Sequence, residues 1–525
     1  MMVEYVYDSP ITSPLESPHW QSLDHKEGDQ LIQNLAELKE IFSSAMSSSS
    51  SAANNDEILA LWSCLLGYCE ALCTHKQHRY SIYPIPVDAL QRLASNEFTP
   101  PLADTHRSSA QVVSNWIWGK VVSKSNLKDE LHANSLYVVL RGRVDGKSVD
   151  CFGAALCTVI GLRQLGFHNS VLTLSEDHAY ESHEEEETTC TCEVAIPGNT
   201  KAQKAKRGQE TGKTFQLGKS LLTPQTSWLY MGMAPVYCRT VPMIVAAALS
   251  NMNPLIESKG RSLEVNSEPL LTVKRELLWI LKDAGHIDRF PFALCELGWS
   301  EEHCTSPRGD AKISIPKLAP VPVTGIESLY HEAIVCSRTH HDDKQVYPYC
   351  YMGFYHKDGG QDEEYRLGVA LQYFCEAARV ASGYSYEWGD TLQLLKTMTK
   401  LSEFICYEIL SCDDVPRAWT EEANAVTCGR WLFTFFDHLL LWEERTNETF
   451  LPILTSNHKT GIAKAFALLA HDVRTKVFAS ETLTINSKRL KGPLGAALQA
   501  PKVSLSDMHL TIISESKRQR KRKEI

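Results

Sequence analysis

Apolar residues recur with a helical spacing over much of this chain. Positions three and four apart are apolar, which places them on one face of a helix. This pattern occurs in Glu57–Leu72, Leu270–Gly285, Trp431–Trp442 and Gly461–Phe478. Two further helix patterns flank a glycine-rich turn between Tyr347 and Ala378. The chain beyond Pro242 is therefore predicted to be almost entirely helical.

The region before these helices has a mixed pattern. Cys151–Gly166 is predicted to be a helix that ends at a left-handed glycine, and the stretch SVLTLS that follows is predicted to be a short strand. A second strand is predicted at Cys192–Ile196. The acidic run Glu184–Glu187 and the basic stretch Lys201–Arg207 are expected to be solvated loops.

The composition is that of an ordinary globular protein. With 525 residues, 43% of them hydrophobic and 22% charged, the chain has room for about two to four packed units. Its formal net charge of -10 argues against a chain-wide role on nucleic acid or on a membrane surface. No apolar run approaches the roughly 18 residues that cross a bilayer, and the first residues lack the pattern of a secretion signal. We therefore expect a soluble, intracellular protein.

The 16 cysteines are scattered among apolar neighbours, as expected for buried thiols in a reducing compartment. No two cysteines have the CxxC spacing. Cys190 and Cys192 are separated by one residue and have no matching second pair of ligands. We therefore expect neither a metal site nor a cofactor.

Three residues suited to thiol chemistry follow one another in the mixed region. Cys151 opens a predicted helix, where unpaired amide groups favour a thiolate. His178 follows the first predicted strand, and Glu193 lies on the second, so the carboxylate could orient a histidine base. This order is similar to the core of transglutaminase-like and papain-like enzymes. Glu193 replaces their usual Asp or Asn, and the bulky Phe152 follows the cysteine directly.

The helices around the glycine-rich turn have the residue spacing of a helix hairpin. Ala370, Phe374 and Ala377 have the small–aromatic–small spacing of the second helix of a tetratricopeptide repeat. Gly353 has the position of the small residue on the first helix. This single unit predicts a packed helix pair rather than a long repeat array.

Six basic residues are clustered near the end of the printed sequence. They are Lys517, Arg518, Arg520, Lys521, Arg522 and Lys523. In an acidic protein this cluster favours a nuclear-import signal, and contact with DNA phosphates is the other option.

Several longer stretches carry a more specific resemblance. In chain order between Leu127 and Val477 they are LSEDHAY, SWLYMG, ELLWILKDAGHIDRFPFAL, YHEAIVCSRTHHDDKQVYPYCYMGFYH, ALQYFCEAA and FDHLLLWEE. Together they resemble the menin family of nuclear scaffolds of animal cells, in the form of a divergent member. The resemblance is much weaker over the first hundred residues and the tail.

The resemblance implies a mainly α fold with a small α+β transglutaminase-like part. It further implies a curved helical scaffold with tetratricopeptide-like helix hairpins and a central peptide-binding cavity. The implied domains are residues 1–112 (N-terminal, mostly helical, with a Ser-rich loop), 113–240 (transglutaminase-like thumb), 241–420 (helical palm), 421–480 (C-terminal helical fingers) and 481–525 (flexible basic tail).

The function implied by the resemblance is that of a non-enzymatic nuclear scaffold. A short linear peptide would bind in the thumb–palm cavity, supplied by a histone methyltransferase of the mixed-lineage-leukaemia type or by a Jun-family transcription factor. A chromatin tether with a PWWP domain would join the complex, which regulates transcription through histone H3 lysine 4 methylation. No membrane partner is implied.

The resemblance also implies which residues line the cavity. On the thumb they are Asp129, Leu174, Ser175, Glu176, Asp177, His178 and Ala179. On the palm they are Phe290, Phe292, Tyr347, Tyr351 and Phe374. Leu392, Lys396 and Thr399 replace glutamates of the family pattern. Glu176 and Asp177 are therefore expected to provide most of any preference for a basic peptide.

Two other functions stay open from the sequence. One is a thiol acyltransferase or protease of transglutaminase-like type that uses Cys151 and His178. The other is a helical-repeat adaptor of unspecified partners.

Overall fold

The computed structural model of this protein describes the chain in separate stretches. They are residues 106–121, 151–164, 166–185, 188–194, 215–217, 220–222, 228–251, 268–304, 325–358, 363–384, 398, 401, 422–446, 469–481 and 483–502. Several sequence predictions lie outside these residues: the Ser-rich loop and the helix Glu57–Leu72, Asp129, the basic stretch Lys201–Arg207, the positions Leu392, Lys396 and Thr399, and the basic cluster Lys517–Lys523.

The described elements are mainly helical. The helices are α1 (His106–Val121), α2 (Cys151–Gln164), α3 (Val241–Ser250), α4 (Glu268–Asp283), α5 (Pro291–His303), α6 (Ile326–His340), α7 (Tyr347–Asp358), α8 (Glu363–Ala381), α9 (Glu422–Thr446), α10 (His471–Ala479), α11 (Lys488–Lys491) and α12 (Pro493–Gln499). The strands are β1 (Val171–Leu174), β2 (Ala179–Glu185), β3 (Thr188–Cys192), β4 (Phe215–Leu217), β5 (Ser220–Leu222) and β6 (Val236–Cys238). A short 3-10 helix spans Trp228–Met233. In the described part of the chain, the helices are all too short or too polar to span a membrane.

Two compact units make up the structure. The sheet unit comprises the described residues of Ser9–Gln216 and Met233–His341, and the C-terminal unit comprises those of Leu217–Gly232 and Asp342–Ile525. Helices α1–α6 belong to the sheet unit, and helices α7–α12 belong to the C-terminal unit. The domain boundaries implied by the resemblance stay predictions.

One small antiparallel sheet anchors the sheet unit. Its strand order is β3-β2-β1-β6, and each neighbouring pair is antiparallel. All four residues of β1 are buried, as the apolar stretch predicts. Helix α2 packs against β2 and β1, and α1 packs against α2. The helices approach closely at Gly161, where an added Cβ would lie 2.9 Å from Val113 Cγ1.

Helix α2 confirms the helix predicted at Cys151–Gly166. Its last described residue is Gln164, and Gly166 has a φ of +94°, the left-handed conformation that glycine adopts without steric cost. Arg163 braces this end of the helix, since its guanidinium donates to the Ser170 carbonyl at 2.8 Å and to the Arg239 carbonyl at 3.2 Å. The start of β1 is thereby tied to the end of α2.

The two units use the same local rule to pack helix pairs. In the sheet unit, α5 packs against α6, and a Cβ added at Gly298 would lie 2.7 Å from the Tyr330 ring. In the C-terminal unit, α7 packs against α8, and a Cβ added at Gly353 would lie 2.4 Å from the Phe374 ring. The predicted packing of Gly353 and Phe374 in a helix pair is confirmed. The Gly298–Tyr330 pair follows the same arrangement.

The long helix α9 holds the C-terminal segment in place. The buried Asp437 carboxylate accepts hydrogen bonds from the backbone N–H groups of Asn486 and Ser487, at 2.9 and 2.8 Å. Glu444, almost two turns further along α9, accepts from the Ser487 hydroxyl at 2.9 Å. These carboxylates satisfy backbone donors at the start of α11, which has too few residues to form a stable helix alone.

Three secondary-structure predictions were wrong in part. The predicted strand Cys192–Ile196 overlaps β3 only at Cys192, since Glu193 and Val194 lie outside the strand and residues 195–196 lie outside the described residues. Strand β3 begins earlier, at Thr188, because polar residues there pair with β2. The acidic run predicted as a loop begins inside β2, because strand pairing there does not require apolar side chains. Helix α10 starts at His471 rather than continuing a helix through Gly461–Phe478, because Ala470 has an extended backbone.

Candidate functional site

A four-residue turn in the sheet unit carries the acidic residues predicted to contact a peptide. Strands β1 and β2 pair directly on either side of it, so the chain reverses within Ser175–His178. The Ser175 N–H donates to the His178 carbonyl at 2.9 Å. Serine and aspartate favour such turns because their side chains can hydrogen-bond to nearby backbone. Glu176 and Asp177 occupy the turn and are half-buried.

His178 lies at the end of this turn, between a carboxylate and a thiol. Its Nε2 atom is 2.8 Å from Glu193 Oε2, and the two side chains are only 8% and 4% exposed. The imidazole is also hydrogen-bonded to Cys151, the first residue of α2. The structure therefore brings together the three residues that the sequence placed in a Cys–His–acid order.

The electrostatics of His178 favour the protonated imidazole. Burial lowers the pKa of His178, but the attraction of Glu193 and hydrogen bonds to Cys151 and Glu193 outweigh it. The pKa of His178 is therefore well above its ordinary value of 6.5. His178 can therefore hold a proton between the Cys151 thiol and the Glu193 carboxylate. In a thiol enzyme, Cys151 would be the nucleophile, His178 the base and Glu193 the group that orients the base.

The Cys151 side chain is half-buried, and its neighbour Phe152 is buried. Phe152 is 2% exposed and packs in the core, so its bulk is directed away from solvent. Glu193 directly follows β3 and is buried, which fixes the acceptor of the histidine.

The aromatic residues predicted on the palm are mostly buried. In the C-terminal unit, Tyr347 is 2% exposed and contacts the Trp228 ring edge-on at 5.7 Å between centroids. Tyr351 is also buried, on the next turn of α7. Phe374 is fully buried against Gly353. Contact of these three residues with a peptide stays a prediction.

The two predicted palm residues Phe290 and Phe292 belong to the sheet unit. Phe290 is buried just before α5, and Phe292 on its first turn is half-buried. Their rings meet edge-on at 6.3 Å between centroids. Of the two, Phe292 has the more accessible ring, and contact of either with a peptide stays a prediction.

One buried polar cluster in the sheet unit was missed by the sequence analysis. It consists of His106 on α1 with Glu181 and His183 on β2, and it is called the His–Glu–His cluster below. The alternation of Glu181 and His183 along a strand was the available signal. The third member is 75 residues before Glu181, so sequence spacing gives no reason to connect it.

Fold and site together define a class: a mainly helical protein with a small four-stranded antiparallel sheet, in which a turn carries acidic residues next to a Cys–His–Glu group. Comparison with known proteins places the chain within that class. The family model described as Menin matches residues 99–489. The chain belongs to the menin family.

A solved structure has the same fold. It is a crystal structure of menin described as revealing the binding site for the Mixed Lineage Leukemia (MLL) protein. The TM-score is 0.66 and the sequence identity is 24%, with 91% of this chain and 97% of that chain covered. The mainly helical fold with a small antiparallel sheet expected from the sequence is thus confirmed.

Proposed function

We propose that this protein is a non-enzymatic nuclear scaffold that binds a short peptide from a histone methyltransferase of the mixed-lineage-leukaemia type. The observation that carries the proposal is the family match over residues 99–489. It is supported by the likeness to the menin structure described as revealing an MLL-binding site. The proposal also includes Jun-family transcription factors as alternative peptide partners and a chromatin tether with a PWWP domain. The resulting complex would regulate transcription through histone H3 lysine 4 methylation.

The turn Ser175–His178 supports a role in peptide recognition. It places Glu176 and Asp177 side by side at the end of a rigid β-hairpin, and neither is deeply buried. Carboxylates in such a place attract arginine or lysine side chains of a ligand and set its orientation. We assign these two residues the main part of any preference for a basic peptide.

The proposal is tested by fluorescence polarisation with a labelled N-terminal peptide of a methyltransferase of this type. Glu176→Gln combined with Asp177→Asn should weaken binding about tenfold at low salt, equivalent to about 1.4 kcal/mol. Added salt should weaken binding to the wild-type protein more than binding to this variant, since salt screens the charges that the variant lacks.

A matched control changes the same net charge elsewhere on the sheet unit. Asp283→Asn combined with Glu327→Gln removes two exposed carboxylates and should leave the affinity within about twofold. Absence of peptide binding to the wild-type protein would contradict the scaffold proposal. Equal losses in both double variants would contradict only the role of the turn.

A second function is favoured by one observation, the contact of His178 with both Cys151 and Glu193. In a thiol acyltransferase or protease, the Cys151 sulfur would attack a substrate carbonyl, and the amine would leave with a proton from His178. An acceptor amine or water would then release the acyl group and return the proton.

Selective alkylation distinguishes the two functions. Most described thiols should react slowly because they are buried; burial raises the pKa of Cys428 to about 11, for example. Cys304, which is half-buried like Cys151, is the matched reference. The scaffold proposal expects equal labelling of Cys151 and Cys304 and no amine incorporation into a glutamine peptide. Faster labelling of Cys151, with amine incorporation that Cys151→Ala abolishes, would establish the enzyme instead.

A further inference from the structure

The His–Glu–His cluster brings three metal-binding side chains together in the interior of the sheet unit. His106 Nε2 lies 2.9 Å from Glu181 Oε1, and His183 Nδ1 lies 3.2 Å from Glu181 Oε2. One atom from each of the three side chains lies within 4.8 Å of the others. The side chains are 6%, 0% and 2% exposed. Among the described residues, no other group of this kind occurs.

The imidazole rings of His106 and His183 are nearly parallel. Their rings stack with centroids 3.8 Å apart and planes inclined by 12°. His106 presents its Nε2 atom, and His183 its Nδ1 atom, to the Glu181 carboxylate.

These separations fit a tetrahedral zinc ion. Zinc–nitrogen and zinc–oxygen bonds of about 2.0–2.1 Å place two ligand atoms of a tetrahedron about 3.3 Å apart. The distances of 2.9 and 3.2 Å end on different oxygens of Glu181 and are close to that edge, and one ligand atom from each residue lies within 4.8 Å of the others, so side-chain adjustment would admit the ion. Two imidazoles and one carboxylate are ligands that zinc accepts readily.

The neighbouring strand carries a further candidate donor, Cys192, whose Sγ is not among the ligand atoms that lie within 4.8 Å of one another and would have to turn toward them. Cys192 on β3 pairs directly across from Glu181 on β2, so the two side chains are on the same face of the sheet. Cys192 is fully buried. A thiolate in this place would complete a closed set of four ligands, the arrangement of structural rather than catalytic zinc sites.

We propose that His106, Glu181 and His183 bind a structural zinc ion, with Cys192 as the fourth ligand. The ion ties α1 to the sheet across a long stretch of intervening chain. The sequence analysis expected no metal site because Cys190 and Cys192 lack a second cysteine pair; in this proposal the other ligands are two histidines and a glutamate from other elements. The proposal is independent of the proposed scaffold function.

Metal content of the full-length protein tests the proposal. After chelation, addition of Zn²⁺ and removal of excess, we expect about one zinc per chain and a rise in melting temperature of several degrees. His106→Gln and His183→Gln should each reduce retained zinc at least tenfold. His168→Gln, which changes an exposed histidine of the same unit, should retain zinc like the wild-type protein.

Cobalt substitution reports the coordination geometry of the site in the wild-type protein, so it does not rely only on variants. The wild-type protein loaded with Co²⁺ should show the visible absorption of a tetrahedral site and a thiolate charge-transfer band. Cys192→Ser should lose that charge-transfer band. No zinc retention by the folded wild-type protein, or equal retention by all three histidine variants, would overturn the site. A tetrahedral spectrum without the thiolate band would overturn the assignment of Cys192.

Discussion

At the scale of single residues, buried histidines of the sheet unit lie beside hydrogen-bond partners, and three of them lie beside a carboxylate; the buried His341 contacts the backbone carbonyls of Ala234 and Arg289 instead. His178 is bonded to Glu193, and His106 and His183 share Glu181. A buried imidazole without such a partner would carry an unsatisfied polar group, at a cost of roughly 1–3 kcal/mol. These pairs explain why a strand rich in polar residues is stable in the interior.

The pH dependence of stability should reveal the environment of His178. Its folded pKa is raised above 6.5, so the protonated imidazole contributes stability that is fully present below about pH 6.5 and lost as pH rises through the folded pKa. The difference in free energy of unfolding between the wild-type protein and His178→Gln should therefore be larger near pH 6 than near pH 9 (both values approximate). Urea denaturation over this pH range measures it.

The exposed His168 offers the control for that experiment. His168→Gln removes a titratable group of the same kind from the same unit, without a buried carboxylate partner. Its effect on the free energy of unfolding should stay within about 0.5 kcal/mol throughout the range. A pH-independent difference for His178→Gln would show that the proton on His178 does not stabilise the fold.

At the scale of elements, glycines set how closely the helix pairs pack. Gly298 in α5 and Gly353 in α7 each lie under an aromatic ring of the following helix. Both glycines lie inside regular helices, where the backbone conformation does not require a glycine. Their small size is what the packing requires.

Two glycine-to-alanine changes in the same helix pair should have opposite effects. Gly353→Ala should destabilise the protein by about 2 kcal/mol, because the new methyl group would overlap the buried Phe374 ring. Gly368→Ala, on α8, should be neutral or stabilising by up to about 1 kcal/mol, since its nearest neighbour, Cys428 Sγ, is 3.5 Å from the new Cβ. Denaturant unfolding compares them, and equal effects would refute the packing argument.

The predictability of these elements depended on how far apart their partners lie in sequence. The helix that starts at Cys151 was predicted because its apolar spacing and terminal Gly166 are local signals. Strand β2 was not predicted, since its polar residues are stabilised by partners on α1 and β3. The polar sites of the sheet unit divide in the same way: family motifs identified the Ser175–His178 turn, but no local pattern could connect His106 to Glu181.

At the scale of the whole molecule, charge is distributed unevenly along the chain. The protein has a formal net charge of -10, yet six basic residues are clustered within Lys517–Lys523. A basic cluster on an acidic protein is well suited to recognition by an acidic receptor surface, because the acidic remainder of the chain does not bind to that receptor surface in its place. This supports the proposed nuclear localisation.

Neutralising this cluster should move the protein out of the nucleus. With alanine at all six basic positions, we expect the nuclear-to-cytoplasmic ratio of a fluorescent fusion to fall at least several-fold, because the receptor loses its charged contacts. Fluorescence microscopy measures the ratio. Alanine at the four basic positions of Lys201–Arg207 is the control and should leave it unchanged. An unchanged ratio in the six-residue variant would refute the import role.

The burial of Phe374 limits how the predicted peptide contact at this position can change during evolution. Its ring is enclosed against Gly353, so any exchange at position 374 must first be accommodated by the helix pair. Phe292 is half-buried on the first turn of α5 and has more freedom to vary. A lineage that acquires a new peptide partner should therefore accumulate changes at Phe292 earlier than at Phe374. A substitution at Phe292 that raises affinity lowers the free energy of unfolding less than one at Phe374.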